Sequence, residues 1–177
     1  GIQYASNNYN GLSFRVGIFE PLGGSQADSA RFEGEVNYGK DNFDVWASFV
    51  NQDAGTEGEI SAYDVGAEVR MGGFSLTGSY TDGTGIDSGF RGPSENDSTF
   101  YSVEADYKTG ATTFGVAYGN TEREDVTGVT TLDADITTLF AHYDLTDSVT
   151  LVAEWVKEDI NNSDEISHFA IGTQLFF

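Results

Sequence analysis

The sequence predicts an all-β fold, a transmembrane antiparallel β-barrel, and three observations carry that prediction. Polar and apolar residues alternate through eleven stretches of about ten residues each, the period of a strand with two different environments. The connections between these stretches are by turns short and long. No apolar run approaches the roughly 20 residues that a spanning helix requires, although aromatic residues make up 14% of the 177. A mean hydropathy of −0.32 suits a barrel wall, because only alternate residues of such a wall touch lipid.

The alternation begins at Ile2, Tyr4 and Ser6, turns at residues 7–11, and continues with Leu12, Phe14, Val16 and Ile18 opposite Ser13, Arg15, Gly17 and Phe19. In the third stretch Phe32, Gly34, Val36 and Tyr38 oppose Arg31, Glu33, Glu35 and Asn37. The fourth sets Phe43, Val45, Ala47 and Phe49 against Asp44, Trp46, Ser48 and Val50, with Trp46 an exception on the polar side. Tyr63, Val65, Ala67, Val69 and Met71 then alternate with Asp64, Gly66, Glu68 and Arg70, and Gly72-Gly73 is a strong hairpin signal. Phe74, Leu76 and Tyr80 return opposite Ser75, Thr77, Ser79 and Thr81. Residues 82–99 lack periodicity and are expected to be an exposed loop.

Tyr101, Val103, Ala105 and Tyr107 follow, opposite Ser102, Glu104, Asp106 and Lys108, then a tight turn and Phe114, Val116 and Tyr118. After an acidic stretch at 120–135, Leu139, Ala141 and Tyr143 form the apolar set, while Ile136 and Phe140 compete with it in phase. Val149, Leu151, Ala153 and Trp155 are apolar in the tenth stretch. The last, ISHFAIGTQLFF, places Phe169, Ile171, Leu175 and Phe177 on one side, broken by Thr173, with His168 on the other.

Short connections fall at 7–11, 39–42, 72–73, 109–111 and 144–148; long acidic ones at 20–30, 51–60, 82–99, 120–135 and 158–166. Segregation of long and short loops to opposite ends is the habit of a membrane barrel. About ten residues rising about 3.3 Å each and tilted about 45° cover about 23 Å, close to the apolar band of such a barrel. Tyr38, Phe43, Phe74, Tyr107 and Tyr143 lie beside the short turns, and Tyr63, Tyr80, Tyr101, Tyr118 and Trp155 beside the long loops, where amphipathic rings meet the interface.

A net charge of −21 with 8 basic residues excludes a nucleic-acid partner, since little is available to neutralise phosphates. The absence of cysteine removes thiolate metal sites and disulfides together. No cofactor fingerprint occurs, and an enzyme is not expected. The opening GIQYASNNY lacks the basic and apolar regions of a signal peptide, so either an export signal has been removed or the sequence starts late.

The aromatic-tipped closing strand resembles that of the outer-membrane β-barrels of Gram-negative bacteria, in which Phe169, Ile171, Leu175 and Phe177 would act as an assembly signal. IQYASNNYNGLSFRVGI resembles the strand pair after the constricting loop of the sixteen-stranded general porins. The resemblance implies a single barrel domain over 1–177, incomplete at its N-terminal side, with eleven of sixteen strands. It further implies an outer-membrane channel for passive diffusion of small hydrophilic solutes and ions. Its partners would be membrane lipid, lipopolysaccharide and, in a homotrimer, its own copies. An autotransporter translocator, a barrel enzyme or a soluble acidic β-sandwich would also show alternation.

The pore-lining set expected from the polar positions comprises the acids Glu33, Glu35, Asp44, Asp64, Glu68, Glu104, Asp106 and Glu154 and the bases Arg15, Arg31, Arg70 and Lys108, with His142 and His168. Eight acids against four bases predict a preference for cations. A lone lumen histidine is more often an ordinary polar residue than a catalytic base.

Overall fold

The computed structural model describes residues 1–19, 30–53, 59–86, 93–161 and 163–176. Phe177 and residues 20–29, 54–58 and 87–92 of the long connections expected at 20–30, 51–60 and 82–99 lie outside the described residues. Eleven strands follow one another: β1 (Ile2–Ala5), β2 (Leu12–Phe19), β3 (Arg31–Lys40), β4 (Phe43–Asp53), β5 (Glu59–Met71), β6 (Phe74–Ile86), β7 (Pro93–Thr109), β8 (Thr112–Glu124), β9 (Thr130–Thr146), β10 (Val149–Ile160) and β11 (Ile166–Leu175). They form one antiparallel sheet in the order β1 to β11, each strand paired only with its chain neighbours. Among the described residues nothing pairs β1 with β11, so both edges are open.

The short turns carry residues suited to tight reversal. Asn10 and Gly11 have φ of 56° and 100°, and Gly72 has φ of 63°, a left-handed conformation that costs Asn little and Gly nothing. Strands run further than the alternation predicts, two or three residues into the loops expected at 51–60 and 158–166, and by five residues or more in four cases. β6 continues to Ile86, β7 begins at Pro93, β8 reaches Glu124 and β9 starts at Thr130. This corrects the loops expected at 82–99 and 120–135. Both faces of these extensions carry polar residues, so no period marks them.

The sheet has no ordinary core. Among the described residues only Ile60 and Ala134 are buried apolar side chains. Large apolar residues stand bare instead, as with Leu76 at 54%, Val103 at 49% and Ile171 at 77% exposure. The alternate, polar side chains are better covered. In β8, Thr113, Gly115 and Ala117 are half-buried while Phe114, Val116 and Tyr118 between them are exposed. A single sheet whose polar side chains shelter one another and whose apolar ones do not is curved toward its polar face. That is the inverse of a water-soluble sandwich, which hides its apolar face under a second sheet.

The apolar face also records the strand tilt. Past its apolar residues, toward the long loops, its first polar residues are Asn51 on β4, Asp82 on β6, Asn120 on β8 and Lys157 on β10. The register puts Asn51 level with Thr84, Asp82 with Glu122, and Asn120 with Asp159. The boundary therefore steps down two residues for every two strands. With about 6.7 Å per two residues and about 9.6 Å per two strands, the strands tilt about 35° from the band's normal, within the range of transmembrane barrels. From Phe43 to Phe49 on β4, the outward apolar positions rise about 16 Å along the band's normal at that tilt.

Aromatic side chains line both borders of the band. Tyr63–Tyr80 and Tyr101–Tyr118 pack at 6.1 and 6.0 Å between ring centroids near the long-loop border. Tyr38–Phe43 and Phe74–Tyr107 pack at 5.7 and 4.5 Å near the short-turn border.

Candidate functional site

The polar face is the candidate site, and the strand register assembles it. Arg15 pairs with Glu35, Ser48 with Asp64, and Asp64 with Thr81 across β2 to β6. Asp44 pairs with Glu68, Glu68 with Thr77 and Thr77 with Glu104 two levels nearer the short turns, below the ladder of Trp46, Gly66, Ser79 and Ser102. Arg70, Asp106, Phe140 and Glu154 follow on the next ladder, and Lys108 and His142 on the one below. His168 shares this face through Val156. Arg31 and Glu33 belong to it by parity with Glu35. The register thus places every sequence-selected polar position on one face of the sheet.

Each named base is engaged by a carboxylate. Arg15 donates to Glu35, which also accepts from Asn37. Arg31 Nε lies 2.7 Å from Glu33 Oε1. The Arg70 guanidinium forks between Asp44 and Glu68, with Nη1 at 2.6 Å from Glu68 Oε2, and Ser75 Oγ donates to the other Glu68 oxygen at 2.9 Å. Lys108 Nζ donates to Asp144 Oδ2 at 3.0 Å. Asp144 was not among the expected residues, although it follows His142 by two positions and shares its parity.

Among the described residues Asp64, Glu104, Asp106 and Glu154 have no arginine or lysine partner, and Asp64 accepts from Trp46 and Thr81 instead. Glu104 and Asp106, one strand pleat apart on β7, make no ion pair among the described residues. His142 Nε2 stands 3.7 Å from Glu154 Oε1, beyond hydrogen-bond reach, and its ring packs on Phe140 at 4.9 Å. His168 lies on the open edge strand, exposed, and meets none of the others.

Among the described strands four aromatic residues also occupy this face: Phe19, Trp46, Phe100 and Phe140. Trp46 lies across Gly66 on the next strand, and its Nε1–H donates to Asp64 Oδ1 at 2.7 Å. Phe140 covers Gly115 in the same way, and Phe19 folds over Gly17. This settles the phase left open in the sequence: Phe140 and Ile136 sit on the polar face, and Leu139, Ala141 and Tyr143 on the apolar one. A hollow of about 540 Å³ opens across β1 to β6, lined by Gln3, Arg15, Phe19, Glu35, Ser48, Asp64 and Thr81 among others.

On the other face Phe169, Ile171 and Leu175 of β11 are exposed at 63%, 77% and 62%. Among the described residues no group of His, Asp and Glu could hold a metal ion. No helix is long and apolar enough to cross a membrane.

A tilted antiparallel wall, apolar and bare on one face, charged and sheltered on the other, defines a transmembrane β-barrel protein. A family model described as Gram-negative porin matches residues 1–163, and the chain belongs to that family, whose place is the outer membrane. Solved structures agree in fold. The trimer form of OmpT from Vibrio cholerae is 18% identical with a TM-score of 0.73, the match covering 99% of this chain and 64% of that one. Salmonella typhi OmpF, solved with daunomycin, is 18% identical at a TM-score of 0.72, covering 94% and 57%. The outer membrane channel DcaP of Acinetobacter baumannii is 11% identical at 0.73, covering 98% and 61%. The chain thus spans less than two thirds of the length of these proteins. A comparison with curated proteins finds no match by sequence.

Proposed function

We propose that this chain is part of the wall of a water-filled channel through which small hydrophilic solutes and ions diffuse passively, and that it does not act as an enzyme. One observation carries the reading: the charged face is the sheltered, concave one, and the apolar face is bare. Such a wall is stable only with lipid outside and water inside.

In this reading 1–177 is a single barrel domain, completed at its N-terminal side by further strands that join the open edges of β1 and β11. The polar positions named above, from Arg15 to His168, line the pore. Phe169, Ile171, Leu175 and Phe177 form the assembly signal of the closing strand. The barrel assembles as a homotrimer, a proposal supported by the trimer form of the Vibrio cholerae relative. Lipid and lipopolysaccharide surround it.

The pore prefers cations. Arg15, Arg31, Arg70 and Lys108 are each neutralised by a neighbouring carboxylate, whereas Glu104 and Asp106 remain uncompensated in a narrow aqueous space. Conductance of the complete barrel across a lipid bilayer under a salt gradient tests both parts. A steady ohmic current with a cation-selective reversal potential is expected. Absence of a current would discard the channel, and an anion-selective potential would discard the preference alone.

A further inference from the structure

Trp46 is the residue that alternation could not accommodate, and its setting suggests a use. A large apolar ring on the wet face of a wall is costly unless it is packed or covered. Trp46 is half-buried: it lies over Gly66, where a Cβ would overlap the ring, and its single donor is held by Asp64. The ring is therefore held against the polar face of the wall, beside the hollow that its neighbours Ser48 and Asp64 line.

The surroundings are hydrogen-bonding groups with one ion pair, Arg15–Glu35, and one carboxylate, Asp64, held by neutral donors alone. Asp64 Oδ2 accepts from Thr81 Oγ1 at 3.0 Å, Ser79 and Ser102 share a hydrogen bond at 2.9 Å, and Arg15 is engaged by Glu35. Directly above Trp46 on β4, Ser48 lines the hollow of about 540 Å³, which Phe19 and Gln3 also border. An anion would have to displace Glu35 from Arg15 or lie against the Asp64 carboxylate. A neutral ring bearing hydroxyls on its rim and C–H groups on its face would not: it could stack on the indole and exchange hydrogen bonds with Ser48, Asp64 and Thr81.

We propose that Trp46 and the adjoining hollow form a subsite for neutral polyhydroxylated rings of mono- or disaccharide size. The inference rests on the channel reading, since the subsite is placed on the pore wall, and it names a class of solute for that pore.

The test uses the complete barrel with sucrose, against glycine betaine at equal osmolality. Sucrose is expected to reduce the current saturably, and glycine betaine is not. With block normalised to each variant's own open current, Trp46→Ala should raise the half-blocking concentration about tenfold, the loss of one stacking contact. Trp46→Phe, which keeps a ring, should restore most of the block and guards against a folding defect in the alanine variant. A current that falls without saturation, or equal block in wild type and Trp46→Ala, overturns the proposal. Fluorescence separates it from the channel reading, because the chain has only 2 tryptophans and Trp155→Phe leaves Trp46 as sole reporter. A saturable change in its emission with sucrose but no conductance keeps the subsite and discards the channel. Normal conductance with no emission change discards the subsite alone.

Discussion

The indole of Trp46 on β4 donates to the carboxylate of Asp64 on β5 at 2.7 Å, with the ring laid over Gly66 of the same strand. Replacing Gly66 with alanine puts a methyl group where the ring lies and forces the ring off the wall. Gly66→Ala is expected to destabilise the barrel by about 1–3 kcal/mol, read as a lower urea midpoint in detergent. Gly78→Ala, where an added Cβ has ample room beyond Ser102 O at 3.7 Å, should move the midpoint little.

The two faces should respond oppositely to one substitution at adjacent positions. Leu76 is outward and 54% exposed, and Thr77 is inward between Glu68 and Glu104. Leu76→Arg should cost about 2–4 kcal/mol, the penalty of a cation facing the bilayer interior. Thr77→Arg gains two carboxylate neighbours and should leave folding intact. Equilibrium unfolding in lipid vesicles distinguishes them, and equal effects would deny that one face is wetter than the other.

Alternation was legible because lipid and water impose a contrast that repeats every second residue. The same cause explains where it failed. Beyond the band, at 82–86, 93–99, 120–124 and 130–135, both faces are wet, so real strands carry no period. The phase around Phe140 was ambiguous because its apolar ring is accommodated by Gly115 on another strand, a complement visible only in three dimensions. Lys108 and Asp144 are 36 residues apart, and only the register brings them together. Their pairing explains why counting charges along the chain overstates the free bases inside.

Selectivity should follow from which charges lack partners. Glu104→Gln combined with Asp106→Asn removes the uncompensated pair and is expected to lower the cation-to-anion permeability ratio by roughly half. Arg70→Ala frees Asp44 and Glu68 and should raise it. Reversal potentials in a salt gradient report both, and a pore indifferent to the double variant would place its selectivity elsewhere.

The β8–β9 hairpin tip, outside the band, should be sensitive to acid. The Asp125 carboxylate accepts from the Thr127 hydroxyl at 2.6 Å and from the Val129 and Thr127 amides at 3.1 and 2.8 Å. The Thr127 hydroxyl first, then these amides, hold its pKa below the usual carboxylate value. A depressed pKa means that the contribution is present above the unfolded-state value, about 3.9, and is lost as pH falls through the lower folded value. Hydrogen exchange should show the Thr127 and Val129 amides protected at neutral pH and unprotected in strong acid. Asp125→Ala should lack that protection at neutral pH as well.

The central claim is that water lies on the polar face and lipid on the other. The chain has no cysteine, so single substitutions at the neighbours Ser102 and Val103 report each face without background. In intact outer membranes a charged, membrane-impermeant thiol reagent should label Ser102→Cys and spare Val103→Cys. Labelling of Val103→Cys with protection of Ser102→Cys would contradict the account.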